Sequence, residues 1–183
     1  MMTRRQILAA PALLAAVPGC SGRVWRFRPD GRPPAPPIRI DPGDTPGIRD
    51  RMRDHVNARR ARAGAPPLRL DAQLNAAAAM HARDMVGRAR PRHAGSDGSS
   101  PADRARRAGY RGTVLGETLS ATRAAGTDTV DAWMTRPDTR AVITDPRGHD
   151  LGIAFQQAAT GRLVWCLLVG NGGRAGPSAA PAR

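Results

Sequence analysis

Two side chains in the middle of this 183-residue chain are of the types that acid–base or metal chemistry needs. They are His93, in His93-Ala-Gly-Ser-Asp-Gly98, and Glu117, in Gly116-Glu117-Thr118. Neutral imidazole and carboxylate are both good zinc ligands, and facing one another they can position a water or hold a proton. A divalent metal such as zinc would still lack the three protein ligands that catalytic sites use, unless Asp138 or His149 supplied one. The plainer alternative is a structural hydrogen-bonded pair. Ser96, close to His93, invites a nucleophile, yet Gly-Ser-Asp-Gly is turn chemistry and no third group completes a catalytic unit. Gly-x-Ser-x-Gly, His-Glu-x-x-His, Cys-x-x-Cys and a phosphate-cradling glycine loop are all missing from the sequence. His81 falls on an apolar helical stripe and reads as a satisfied core residue, His55 as peripheral, and His149 as partly exposed at the start of a strand.

The elements that must position these groups alternate between two periodicities. Thr45-Pro46 starts a helix whose Ile48, Met52 and Val56 recur at helical spacing until Gly64 and Pro66 stop it. Asp71 caps a second helix carrying Leu74, Ala77, Ala78, His81 and Met85 on one stripe. Ser100-Pro-Ala-Asp103 has the form of a capping box, and Gly109 closes that short helix. Asp128 is the expected cap of a fourth helix, turning Val130, Trp133 and Met134 inward before Pro137. Strands are expected over 113–121, 149–156 and 162–170, the last two joined by a hairpin at 158–161. Cys166 lies in the last of them and reads as a small core hydrophobe. The fold class is α+β, a three-layer α-β-α sandwich around a small, mainly antiparallel sheet.

The ends read as address and tether. Arg4-Arg5 before an apolar run over 7–17 resembles a twin-arginine export signal, and the run is too short to span a bilayer, which takes about 20 residues. Val17-Pro18-Gly19-Cys20 resembles a lipobox whose Cys20 would be lipidated, with ordinary cleavage nearby or an uncleaved anchor as the alternatives. The expected organisation is therefore a signal over 1–20, a Pro/Arg/Gly-rich tether over 21–43, a domain over 44–170 and a disordered tail over 171–183. All 29 basic residues are arginine, and the net charge is +14. That balance favours anionic envelope surfaces, while aromatics at 3% argue against specific nucleic-acid recognition.

Taken in order, His55-Val56-Asn57, Pro67-Leu68, Leu74-Asn75, His93-Ala-Gly-Ser-Asp-Gly98, Gly116-Glu117-Thr118, Val130-Asp-Ala-Trp-Met134 and Asp145-Pro-Arg147 resemble the CAP superfamily. This is the SCP-like domain of cysteine-rich secretory, antigen 5 and pathogenesis-related proteins, and the match is to a bacterial exported member over roughly residues 46–170. The resemblance implies the three-layer fold and a cavity holding His93 and Glu117, lined by Trp133 and Tyr110. It puts Thr139 at the position of the family's second histidine, Thr118 where Asn is usual, and Arg136 where a small residue is usual. The eukaryotic members' disulfides are absent, since Cys20 and Cys166 are the only cysteines. The resulting expectation is an exported, membrane-tethered, non-catalytic domain binding a lipid, glycan or protein. Two alternatives stand beside it: a metal-dependent hydrolase with a reduced site, and a cationic envelope adaptor.

Overall fold

A computed structural model describes residues 39–40, 45–123 and 126–172. The export signal, Cys20, nearly all of the tether and the tail beyond Gly172 lie outside the described residues. In chain order the elements are α1 (Thr45–Arg62), β1 (Arg69–Leu70), α2 (Ala72–Met85), α3 (Pro101–Arg107), β2 (Thr113–Thr122), α4 (Thr127–Thr135), α5 (Pro137–Ile143), β3 (Asp150–Gln157) and β4 (Leu163–Asn171). The sheet runs β1-β3-β4-β2, with β1 parallel to β3 and the other pairs antiparallel.

The two faces of the sheet are covered by different helices. Leu163, Trp165, Leu167 and Val169 of β4 pack with Met52, Val56, Val130, Trp133 and Ile143, so α1, α4 and α5 form one outer layer. Cys166 and Leu168 point the other way, toward Leu74, Ala77, Ala78 and Ala82 of α2 and Ala105 of α3. Strand β4 is central and buried on both faces, which is why it is apolar without alternation. Helix α2 lies unusually close to β3. A Cβ at Gly152 would overlap the backbone of Leu74, and the Asn75 side chain accepts from Ile153 N at 2.8 Å. Alanine at 77, 78 and 82 permits that approach.

Asp71 caps α2 by accepting from Leu74 N, and the capping box at α3 is complete, with Ser100 and Asp103 bonded reciprocally. Three local expectations are corrected. Gly126 at φ 70°, not Asp128, occupies the N-cap of α4, leaving Asp128 in the first turn, where its charge favours the helix dipole. Pro137 does end α4, because it holds Arg136 extended, but it also opens α5 from the first-turn position. The last strand continues past Gly170, with Asn171 paired to Thr113 and Gly172 N donating to Asp150.

Close packing of α2 on β3 generates a direct test. Gly152→Ala should lower unfolding stability by about 1–3 kcal/mol or more through overpacking. Gly87→Ala, where an added Cβ meets nothing within 4 Å, should be near neutral. Urea unfolding midpoints of the two variants measure the difference; equal midpoints would contradict the packing.

Candidate functional site

His93 and Glu117 meet. Glu117 sits on β2 opposite Leu168, so its carboxylate turns into the layer under α2 and α3. Its side chain is 1% exposed, and Nδ1 of His93, from the loop after α2, lies 2.8 Å from Oε1. A carboxylate so buried must have its charge answered. Arg104 of α3, itself buried, donates through Nη2 to Oε2 at 2.7 Å and through Nη1 to Ser99 O at 2.8 Å. The Cys166 thiol lies 3.5 Å from Oε2, and Nε2 of His81 lies 3.7 Å from Oε1.

These contacts fix the proton positions. A carboxylate and a backbone carbonyl can only accept, so each imidazole must donate: His93 Nδ1–H gives its hydrogen to Glu117, and His81 Nε2–H gives its own to Arg92 O at 2.9 Å. Nε2 of His93 has no hydrogen-bond partner among the described residues, and the ring is 63% exposed. His81 is fully buried, and its Nδ1 has no partner, so the core histidine expected from sequence is only half satisfied. Burial holds the His81 pKa below its ordinary 6.5, with the Glu117 charge working in the opposite direction. Burial first, and then the charge of Glu117, raise the Cys166 thiol well above its usual range, so it is not a nucleophile at neutral pH.

The other residues expected at this cavity lie elsewhere. Thr139 is buried on α5, in the layer across the sheet, and its hydroxyl donates to Trp133 O. It completes the junction of α4 and α5 and does not stand in for an imidazole. Trp133 is in the core of that same layer, its ring nitrogen 3.4 Å from Leu119 O. Tyr110 donates to the buried Asp150 at 2.8 Å and lines a separate pocket of about 490 Å³ with Arg69 and Arg111. Asp138 is exposed and paired with Arg136, and His149 is exposed. Ser96 is exposed, and its backbone N donates to Asp84. His55, expected to be peripheral, joins Arg59 on the carboxylate of Asp131 and so ties α1 to α4.

A metal does not fit this donor set. Both oxygens of Glu117 already accept from Arg104 and His93, and no cluster of three His, Cys, Asp or Glu among the described residues is placed to hold an ion. Beside the pair, Met80, His81, Asp84, Ser96, Asp97, Ser99, Arg104 and Arg107 line a pocket of about 290 Å³. The residue that sequence reasoning missed is Arg104. Its signal was present, because helical spacing puts it on the stripe of Ala105 and Ala108, but a basic residue in an arginine-rich chain reads as surface.

The electrostatics lead to two expected outcomes. Arg104→Met should cost about 3–5 kcal/mol, because it strands a buried carboxylate. His93→Ala should cost about 1 kcal/mol or less, since it removes an exposed partner. Similar losses in urea melts would contradict the assignment of Arg104 as the counter-charge. The unfolded chain binds a proton on His81 that the folded chain refuses, so the stability this group contributes is complete above pH 6.5 and lost as pH falls through it. The stability difference between wild type and His81→Gln should therefore shift against wild type between pH 7.5 and 5.5.

Comparison with known proteins matches this geometry to one family. The model of the CAP, cysteine-rich secretory protein family matches residues 53–169. No curated protein sequence matches the chain. An outer surface protein of Borrelia burgdorferi superposes with a TM-score of 0.64 at 15% identity, over 75% of this chain and 99% of that one. An extracellular SCP-domain protein of Bacillus anthracis gives 0.61 at 19% identity over 72% of this chain, and a cysteine-rich secretory protein of Staphylococcus aureus gives 0.54 at 12% over 73%. This chain spans 44% and 41% of the lengths of those two proteins. With a family match across more than half its length, the chain belongs to the CAP, cysteine-rich secretory protein family.

Proposed function

We propose that this is an exported binding domain, held at the cell envelope by a lipid on Cys20, that recognises an envelope component without breaking bonds in it. The observation that carries the reading is the closed state of Glu117. With Arg104 on one oxygen and His93 on the other, the carboxylate is committed to holding the imidazole and is not free to act on a substrate. The group left exposed is the His93 ring, oriented by its hydrogen bond to Glu117 and available as a recognition group. A general base would need a nucleophile or acid within hydrogen-bond reach, and Ser96 and Cys166 do not supply one: the first is tied to Asp84, and the second is sealed in the core.

Export and anchoring rest on Arg4-Arg5, the short apolar run and Cys20. They agree with two similar proteins, one extracellular and one an outer surface protein. No helix among the described residues is long and apolar enough to cross a membrane.

The test is native mass spectrometry of the protein recovered from its own envelope, beside His93→Ala. An organic adduct retained by wild type and lost from the variant is the expected result. A zinc adduct lost in the variant, with a zinc-dependent rise in melting temperature, would overturn the reading in favour of a metal hydrolase. At zinc about 100-fold over its Kd, that rise would correspond to about 2.7 kcal/mol.

A further inference from the structure

The arginines of this chain divide into those answered by the fold and those that are not. Arg53, Arg59, Arg69, Arg104, Arg106, Arg107, Arg136 and Arg147 each pair with a carboxylate. Between α2 and α3 the situation reverses. Arg88, Arg90 and Arg92 lead directly into His93, and none of their guanidiniums makes a hydrogen bond or ion pair among the described residues. Arg90 and Arg92 are exposed and Arg88 is half-buried. The nearest carboxylates in sequence are engaged: Asp84 accepts from Ser96 N while feeling the charge of Arg88, and Asp97 pairs with Arg107.

The backbone of this loop is held from within. Arg162, at the start of the last hairpin strand, donates to the carbonyls of Val86, Arg88 and Ala89 at 2.8, 2.5 and 3.1 Å. His81 takes the carbonyl of Arg92, and Glu117 takes the ring of His93. The carbonyls of Val86, Arg88, Ala89 and Arg92 thus face the protein, while the Arg90 and Arg92 side chains are exposed and the half-buried Arg88 keeps a buried Nε without a partner. Such a loop presents its cations at little further ordering cost, and arginine's planar fork matches phosphate oxygens in pairs.

We propose that the 88–93 loop is a phosphate-docking ridge that seats the His93 face of the domain on an anionic lipid surface. A membrane fits better than a nucleic acid: the loop has no Phe, Tyr or Trp for base stacking, and a lipid on Cys20 would hold the domain at headgroups. The inference rests on the reading of the chain as an exported, envelope-held domain. It does not depend on what His93 itself recognises.

The experiment is cosedimentation of the full chain carrying Cys20→Ser, so that no acyl group contributes. The vesicles are phosphatidylcholine with phosphatidylglycerol, against phosphatidylcholine alone. Arg88→Gln/Arg90→Gln/Arg92→Gln is compared with the charge-matched Arg62→Gln/Arg123→Gln/Arg140→Gln. Each ridge arginine should contribute roughly fivefold, giving about a hundredfold loss for the ridge triple and a much smaller one for the control. Equal losses in both triples, or no preference for anionic vesicles, would overturn the ridge. If single-stranded RNA bound as tightly and displaced the vesicles with the same variant ranking, the lipid assignment would fall. The ridge triple keeps His93 and should retain the organic adduct in native mass spectrometry, so failure of the ligand reading and failure of the ridge can be told apart.

Discussion

A negative charge at the edge of a hydrophobic layer is the constraint around which this domain is arranged. Glu117 lies on β2, and its side chain enters the core that α2 and α3 form with Cys166 and Leu168. Desolvating a carboxylate there costs several kcal/mol unless a cation and hydrogen bonds replace the lost water. Arg104 supplies the cation, and its second donor nitrogen reaches back to Ser99, so the pair also fixes the turn before α3. His93 supplies the remaining bond from outside, which makes its own position a consequence of where Glu117 is. The short helix with the complete capping box therefore does more than cover the sheet. It carries the counter-charge.

The same logic of local need applies to Thr139 on the other side of the sheet. Thr139 belongs to α5, which packs on the face opposite Glu117 through Val142 and Ile143, with Val142 filling the space where Gly116 has no Cβ. A threonine there is stabilised by local need. Helix α4 ends at Arg136 with carbonyls to satisfy, and the hydroxyl takes the carbonyl of Trp133.

Much of this fold was legible because its elements carry strong periodic or capping signals. The stripe from Leu74 to Met85, the Ser100 box and the unbroken apolar run of β4 were enough to infer three layers and the Glu117 strand. Elements too short to have a period could not be read. Strand β1 is two residues paired in parallel with β3, and α5 is seven residues hidden behind a proline that also reads as a stop. The His93–Glu117 contact was legible as a pair of types, but not its saturation. That depended on Arg104, Cys166 and His81, whose individual positions look like surface, core and core. Trp133 and Tyr110, expected together, ended on different faces of the sheet, because sequence distance carries no information about which face a loop delivers a side chain to.

Arginine composition is the feature that sequence reading misjudges most, since a count of charges treats each as a solvated surface group. Arg60 is fully buried and donates to the carbonyls of Pro66, Ile143, Asp145 and Gly148, holding the connection from α5 to β3 against α1. Burial lowers its pKa, yet the group remains a cation, as guanidinium does in nearly any environment. Arg162 performs the equivalent task for the loop before His93. A lysine could do neither, because a single ammonium cannot reach carbonyls spread across a planar fork. In a chain without lysine, part of the positive charge is therefore interior scaffolding, and another part is cancelled by neighbouring acids. The formal excess acts outward only where the fold withholds a partner, so the field the domain presents depends on where the unanswered arginines lie and not on total charge alone.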